Sequence, residues 1–333
     1  MINKENDLSL ANAIRSGDRS ALAKGITLTE STLIEDRNKA DKLLLEILPF
    51  AGKSHRIGIT GLPGSGKSTL IEQLGVKALD LGYKVAVLAI DPSSEKSGGS
   101  ILGDKTRMTS LAIHPDAFIR PSPSGSSRTG IGNRTRECMY LCEAAGFNFL
   151  LVETVGVGQV ELEVSEICDI VLLLLLPGSG DELQGMKRGS TESADIILVN
   201  KADGLTKSAA TTTASDYQNA LNLVSGLRNR EVDVMPISAL ENQGTAEVLS
   251  KIIGLHQRKH STGEIQTLRS KQCRSWLWHS IKEIIEESML GEVSMLDIIL
   301  QLEKDIILSR STGRIAAKRF VDQYFQSLRE YKK

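Results

Sequence analysis

The segment Gly61-Leu62-Pro63-Gly64-Ser65-Gly66-Lys67-Ser68-Thr69 constrains this chain more than any other stretch. Its G-x-x-x-x-G-K-[ST] spacing carries meaning only in a loop that leaves a strand and opens a helix. Both flanks comply. Arg56-Ile57-Gly58-Ile59-Thr60 reads as the strand, and Leu70-Ile71-Glu72-Gln73-Leu74 continues as the helix. Glycines let the backbone curl so that successive N–H groups and the helix N-terminus face phosphate oxygens. Lys67 then reaches the terminal phosphates, and Ser68 offers its hydroxyl to Mg²⁺.

A second segment, Asn200-Lys201-Ala202-Asp203, follows the apolar run Asp195-Ile196-Ile197-Leu198-Val199. Guanine presents N1–H and an exocyclic amine side by side, a donor pair that one carboxylate such as Asp203 accepts and that adenine lacks. The two segments in this order describe a site for GTP and GDP. Apolar strands are expected at Ile57–Thr60, Val85–Ile90, Ala117–Arg120, Phe149–Glu153, Ile170–Leu176, Ile196–Asn200 and Val232–Ile237, with helical runs between them. That alternation predicts an α/β fold: a P-loop NTPase with a doubly wound, mostly parallel sheet, flanked by helical extensions.

Several acids arrive at the edge where such sheets bind ligands. The strand ending in Ile90-Asp91 delivers Asp91, and Phe149-Leu150-Leu151-Val152-Glu153 delivers Glu153, where most GTPases carry aspartate. Asp104 sits in a loop expected to close over the nucleotide. Ser68, Asp91, Asp104 and Glu153 form the expected metal set. Gly156 lets the backbone meet the γ-phosphate, and Gln159, three residues further on, is a candidate to approach the attacking water. Arg107, Arg128 and Arg134 are candidates for a charge supplied in trans. Ser238-Ala239-Leu240, just after the strand Val232–Ile237, complete the nucleotide contacts.

At net charge −1 over 333 residues, nothing points to nucleic acid or a membrane surface as partner. The longest apolar run, Ile170–Leu176, is far too short to span a bilayer, and Met1-Ile2-Asn3-Lys4 opens no apolar signal region, which fits a cytoplasmic protein. Cys138 and Cys142 lie one helical turn apart without further ligands and read as buried structural thiols. His256 and His260 share helical spacing and read as facing solvent.

Four further segments carry a family resemblance. They are Gly98-Gly99-Ser100-Ile101-Leu102-Gly103-Asp104-Lys105-Thr106-Arg107-Met108, Arg120-Pro121-Ser122-Pro123-Ser124, Glu153-Thr154-Val155-Gly156-Val157-Gly158-Gln159 and Pro177-Gly178-Ser179-Gly180-Asp181-Glu182-Leu183-Gln184-Gly185. Together they resemble the MeaB/ArgK family of GTPase chaperones for methylmalonyl-CoA mutase, relatives of the human methylmalonic aciduria type A protein. The resemblance implies a GTP-hydrolysing homodimer that gates adenosylcobalamin loading and protects or reactivates a B12-dependent acyl-CoA mutase. It also implies that Lys187 completes the catalytic set of Lys67, Glu153 and Gln159 when the mutase docks. The sequence departs from the family form at Gln159-Val160-Glu161 and at Ser126–Gly130.

The expected layout is a helical extension over 1–53, the GTPase domain over 54–260 and a helical dimerisation arm over 261–333. Other readings of the same motifs are a kinase or ATPase of an arginine/ornithine transport system, a nickel-insertion GTPase and a signal-recognition GTPase. The last two lack their His- or Cys-rich segment and their Met-rich domain here. No Asp-x-His-x-x-Gly cobalamin motif is present, which leaves the cofactor to the partner.

Overall fold

Seven parallel strands form one sheet in the order β3-β2-β4-β1-β5-β6-β7. The computed structural model describes residues 4–91, 108–123, 132–154, 164–178, 193–225, 232–290 and 293–330. The strands are β1 (His55–Gly61), β2 (Val85–Asp91), β3 (Ala117–Pro123), β4 (Phe149–Thr154), β5 (Ile170–Leu175), β6 (Ile196–Val199) and β7 (Asp233–Pro236). All seven strands expected from apolar runs are present, and every pairing is parallel.

The runs are continuously apolar because both sheet faces are covered. On β2, Ala86 and Leu88 join one core while Val85 and Val87 join the other, and β4 splits Leu150 and Val152 from Phe149 and Leu151 in the same way. The first face is covered by α1 (Lys4–Arg15), α2 (Arg19–Glu30), α3 (Ile34–Ile47) and α6 (Gly132–Ala144). Ile14, Leu22, Ile26, Leu43 and Ile47 of the N-terminal helices thus share their core with the sheet. The second face carries α4 (Lys67–Asp80), α5 (Thr109–Ile113) and α8 (Thr245–Ser261). At the β5–β6–β7 end, α7 (Lys207–Ser225) closes a smaller core through Ala210, Ala214 and Tyr217.

Charge is buried at the edge of the sheet where its strands begin. Arg56 at the start of β1 meets Glu143 of α6 through two 2.8 Å hydrogen bonds, both side chains 2% exposed. Ser54 Oγ and the Gly52 N–H also donate to the Glu143 carboxylate. Asp169, just before β5, accepts from Arg269 of α9 (Glu264–Leu290) at 2.8 and 2.7 Å and from the Arg56 N–H at 3.1 Å. Asp195, just before β6, accepts from Lys259.

His256 corrects the sequence expectation. It is buried, its ring 3.8 Å from that of His55 and its Nε2 3.8 Å from Asp169 Oδ2, whereas His260 is exposed. Helical spacing alone could not show that α8 lays this face over the start of β1. Burial pushes His256 down to about 4, with the neighbouring His55 acting in the same direction. Cys138, Cys142 and Cys168 are buried and unbridged, as expected for the first two. Among the described residues, no helix is long and apolar enough to cross a membrane.

The chain divides into two units, Met1–Gln272 and Cys273–Lys333. The second unit holds the remainder of α9 together with α10 (Val293–Ile307) and α11 (Gly313–Glu330). Met295, Ala316 and Tyr324 are buried among its described apolar residues.

Candidate nucleotide site

The loop after β1 takes a shape that only glycine tolerates at two points. Gly61 has φ +141° and Gly66 φ +91°, and a Cβ at either would lie 2.4 Å from Leu174 O or 2.3 Å from Asn200 Nδ2. Gly66 caps α4 in the left-handed conformation, so the helix begins at Lys67 with its first N–H groups turned to the loop. Lys67 Nζ donates to Gly61 O at 2.9 Å and Leu62 O at 3.2 Å, which holds the ammonium over the loop. Pro63 and Gly64 are exposed on the outside of the curve, and Thr69 follows on the first turn of α4. This is a cradle of N–H donors and one cation, matched in charge and curvature to a chain of phosphates.

Ser68 Oγ donates to Glu153 Oε1 at 2.9 Å. Register explains the meeting: Glu153 on β4 pairs with Ile59 on β1, so the carboxylate emerges beside the P-loop helix. A hydroxyl and a carboxylate are the hard oxygen donors that Mg²⁺ takes, so this pair fits the ion. Among the described residues, no group of three or more His, Cys, Asp or Glu converges to hold a metal. Asp91 is the last residue of β2, at the right edge of the sheet, but its side chain is not among those described. Asp104, Arg107, Arg128, Gly156, Gln159 and Lys187 lie outside the described residues. Arg134 is tied down instead, donating to Glu30 O at 2.6 Å.

The base-reading side is built around Asn200 and Ser238. Asn200 Nδ2 donates to Ser65 O at 2.7 Å, and its Oδ1 accepts from the Ala239 N–H at 2.9 Å. One buried amide therefore ties the phosphate loop to the loop after β7. Ser238 Oγ donates to Asp203 Oδ2 and accepts from the Glu241 N–H at 3.0 Å, which fixes the carboxylate of Asp203 from behind. Lys201 sits in the left-handed region at φ +60° and is exposed, and Leu240 is exposed one residue beyond buried Ala239. The structure thus brings together Gly61–Thr69, Glu153, Asn200–Asp203 and Ser238–Leu240. Sequence reasoning gave these residues nucleotide or metal contacts but missed the strut role of Asn200 and the hydroxyl pair Thr60–Thr154, 3.2 Å apart between β1 and β4. A threonine closing each of two apolar strands is the one signal that could have exposed that pair.

Ser65 Oγ is fully buried and has no hydrogen-bond partner among the described residues. Ser65→Ala removes a desolvated hydroxyl without touching the loop backbone. It is expected to stabilise the protein by about 1 kcal/mol, a rise of roughly 2 °C in thermal midpoint by calorimetry. A lowered midpoint would contradict this reading of Ser65.

Fold and site together define a P-loop GTPase. Residues 22–294 match the family model described as methylmalonyl Co-A mutase-associated GTPase MeaB. A probable GTPase of Mycobacterium bovis is 43% identical over 317 residues, 94% of each chain. The Escherichia coli GTPase ArgK is 42% identical over 332 residues, 96% of this chain and 99% of that one. The mitochondrial methylmalonic aciduria type A homolog of Mus musculus is 39% identical over 314 residues, 90% of this chain and 75% of that protein. A crystal structure of an LAO/AO transport system kinase superposes with TM-score 0.75 at 32% identity, covering 98% of this chain and 99% of that one. The chain belongs to the MeaB family of GTPases.

Proposed function

We propose that this protein is a GTP-hydrolysing chaperone that gates adenosylcobalamin loading and protects or reactivates a B12-dependent acyl-CoA mutase of the methylmalonyl-CoA type. The observation that carries this reading is the match of residues 22–294 to a family described by its association with methylmalonyl-CoA mutase. The methylmalonic aciduria type A homologs among its relatives support it.

Hydrolysis in such a site rests on positioning and charge neutralisation rather than on a covalent intermediate. The loop N–H groups and Lys67 hold the phosphates, Ser68 and Glu153 hold Mg²⁺, and Asp203, braced by Ser238, selects guanine. Bound Mg²⁺ neutralises charge on the phosphate oxygens. Gln159 and Lys187 complete the catalytic set when the mutase docks, alongside Asp91 and Asp104 at the metal and Gly156 at the γ-phosphate. Multiple-turnover GTPase rates are therefore expected to rise at least several-fold with saturating cognate mutase. An unchanged rate would remove the gating role.

The solved relative named as a transport system kinase favours a second reading, phosphoryl transfer to a transport protein. The two part on the fate of the γ-phosphate: inorganic phosphate for the chaperone, a labelled protein for the kinase.

The arm from 261 to 333 acts in this reading as a homodimer interface. Its support is the exposure of Trp278, Ile284, Ile285, Leu300, Ile307 and Phe325, more large apolar surface than a solvated helical unit retains. Ile285→Glu with Leu300→Glu in the full chain is expected to convert a dimer to a monomer by light scattering. A dimer that survives both charges would place the interface elsewhere. Buried, unbridged Cys138, Cys142 and Cys168 suit the reducing cytoplasm that this reading assumes.

A further inference from the structure

Between β6 and α7 the chain aims two side chains at different partners within four residues. Asn200 sends its amide to the phosphate loop, and Asp203 sends its carboxylate to Ser238 Oγ. The bend between them falls at Lys201, which holds φ +60° although it carries a side chain. That conformation costs a non-glycine residue free energy and persists only where its neighbours hold it. Two backbone bonds fix the flanks: Asn200 N–H donates to Leu175 O at 3.0 Å, and Ala202 N–H donates to Ile237 O at 2.9 Å.

The Lys201 carbonyl is taken by Thr206. Its Oγ1 donates to Lys201 O at 2.6 Å and lies 2.9 Å from Asp203 O, so one hydroxyl spans the bend in a three-centre bond. The Thr206 N–H also donates to Asp203 O, at 3.0 Å. Asp203 opens the short turn Gly204–Thr206, yet its carboxylate makes no capping bond to those residues. An aspartate in that place ordinarily folds back on the turn it opens, which would withdraw it from a ligand. Here Thr206 closes the turn through the two carbonyls, and the carboxylate stays with Ser238. Thr206 is itself anchored. It stands immediately before α7, whose Ala210, Ala214 and Tyr217 are buried with Leu173 and Leu175 of β5 and Ile197 and Val199 of β6.

We propose that Thr206 is a positioning residue for guanine recognition: its hydroxyl, carried by α7, latches the Lys201 carbonyl and keeps the left-handed bend from which Asp203 presents its carboxylate to the base. The inference rests on the reading of Asp203 as the acceptor for guanine's two donors. Two parallel hydrogen bonds to one planar base demand a fixed carboxylate orientation, whereas a single bond tolerates tilt. Loosening the bend therefore costs most for a base that offers both donors.

The test is the full-length chain carrying Thr206→Val, which keeps the branched shape and removes the O–H. Dissociation constants are measured for GDP and for IDP, whose base keeps N1–H and lacks the exocyclic amine. The expected result is an approximately fivefold rise for GDP, the scale of one net hydrogen bond, against less than twofold for IDP. The kcat for GTP hydrolysis should move less than twofold, because the contact is made equally in ground and transition states. Thr206→Ser keeps the hydroxyl and should restore discrimination between GDP and IDP. Glycine takes the left-handed bend unaided, so in a Lys201→Gly background Thr206→Val should cost less than twofold in GDP affinity. Equal losses for GDP and IDP, the mark of a merely structural role, would overturn the proposal. So would a full fivefold loss that persists beside Lys201→Gly. Asp203→Asn, measured alongside, keeps two failures apart. A shift toward xanthine there with unchanged discrimination in Thr206→Val overturns the role of Thr206 alone, and no shift overturns the base reading beneath it.

Discussion

Asp203→Asn is expected to move the base preference of this protein from guanine toward xanthine. The carboxylate of Asp203 accepts from Ser238 Oγ at Oδ2, which leaves Oδ1 out of that bond. Guanine N1–H and its exocyclic amine are both donors, and an asparagine amide answers one of them with another donor. Two charge-assisted hydrogen bonds are worth about 3–6 kcal/mol together, so GTP affinity should fall on the order of 10²–10⁴-fold. Xanthine carries an oxygen in place of the amine and accepts from the new amide, so XTP should bind the variant better than GTP does. Competition between the two nucleotides for wild type and variant measures the shift. Because Asn200 and Ser238 hold the loop independently of the base, the variant should retain its fold and its phosphate contacts. A variant that still prefers GTP would mean that Asp203 does not read the base.

The parts of this architecture that were legible in the sequence are those whose physics is local. Gly61, Gly64 and Gly66 stand where the chain needs positive φ, and the runs before them and before Asn200 are apolar because parallel strands are covered on both faces. Glu153 was legible as the carboxylate beside Ser68 because strand order in P-loop folds brings β4 next to β1. What could not be read was long-range polar pairing. Arg56 meets Glu143 across 87 positions and Arg269 meets Asp169 across 100, and no periodicity encodes such partners. A faint signal existed: Asp169 and Asp195 each stand immediately before an apolar strand, a costly place for an acid unless a cation is waiting. His256 hid for a related reason, since its burial follows from the docking of α8 over His55 and Phe149 rather than from its own helix.

The Arg56–Glu143 pair carries the other large expected effect. Both side chains are almost wholly buried, and the carboxylate accepts from the guanidinium, from Ser54 Oγ and from the Gly52 N–H. Burial alone would push the Glu143 carboxyl up, but the hydrogen bonds and charge of Arg56 outweigh it and hold the group below its usual range. Glu143→Ala strands the Arg56 guanidinium in the interior and should cost about 3–5 kcal/mol in urea unfolding. Arg56→Met combined with Glu143→Leu removes both charges and refills much of the space, so it should lie within about 1 kcal/mol of wild type. The acid limb of the stability curve gives an independent check. His256 is held near 4 in the fold against 6.5 in the unfolded chain, so the unfolded state takes up its proton first and stability declines as pH falls below about 6.5. Glu143, depressed in the fold, adds a second loss as pH drops below its ordinary value of 4.5. The Arg56→Met, Glu143→Leu variant should keep the first decline and lose the second. A Glu143→Ala variant as stable as wild type would show that the buried pair contributes nothing to holding α6 against β1.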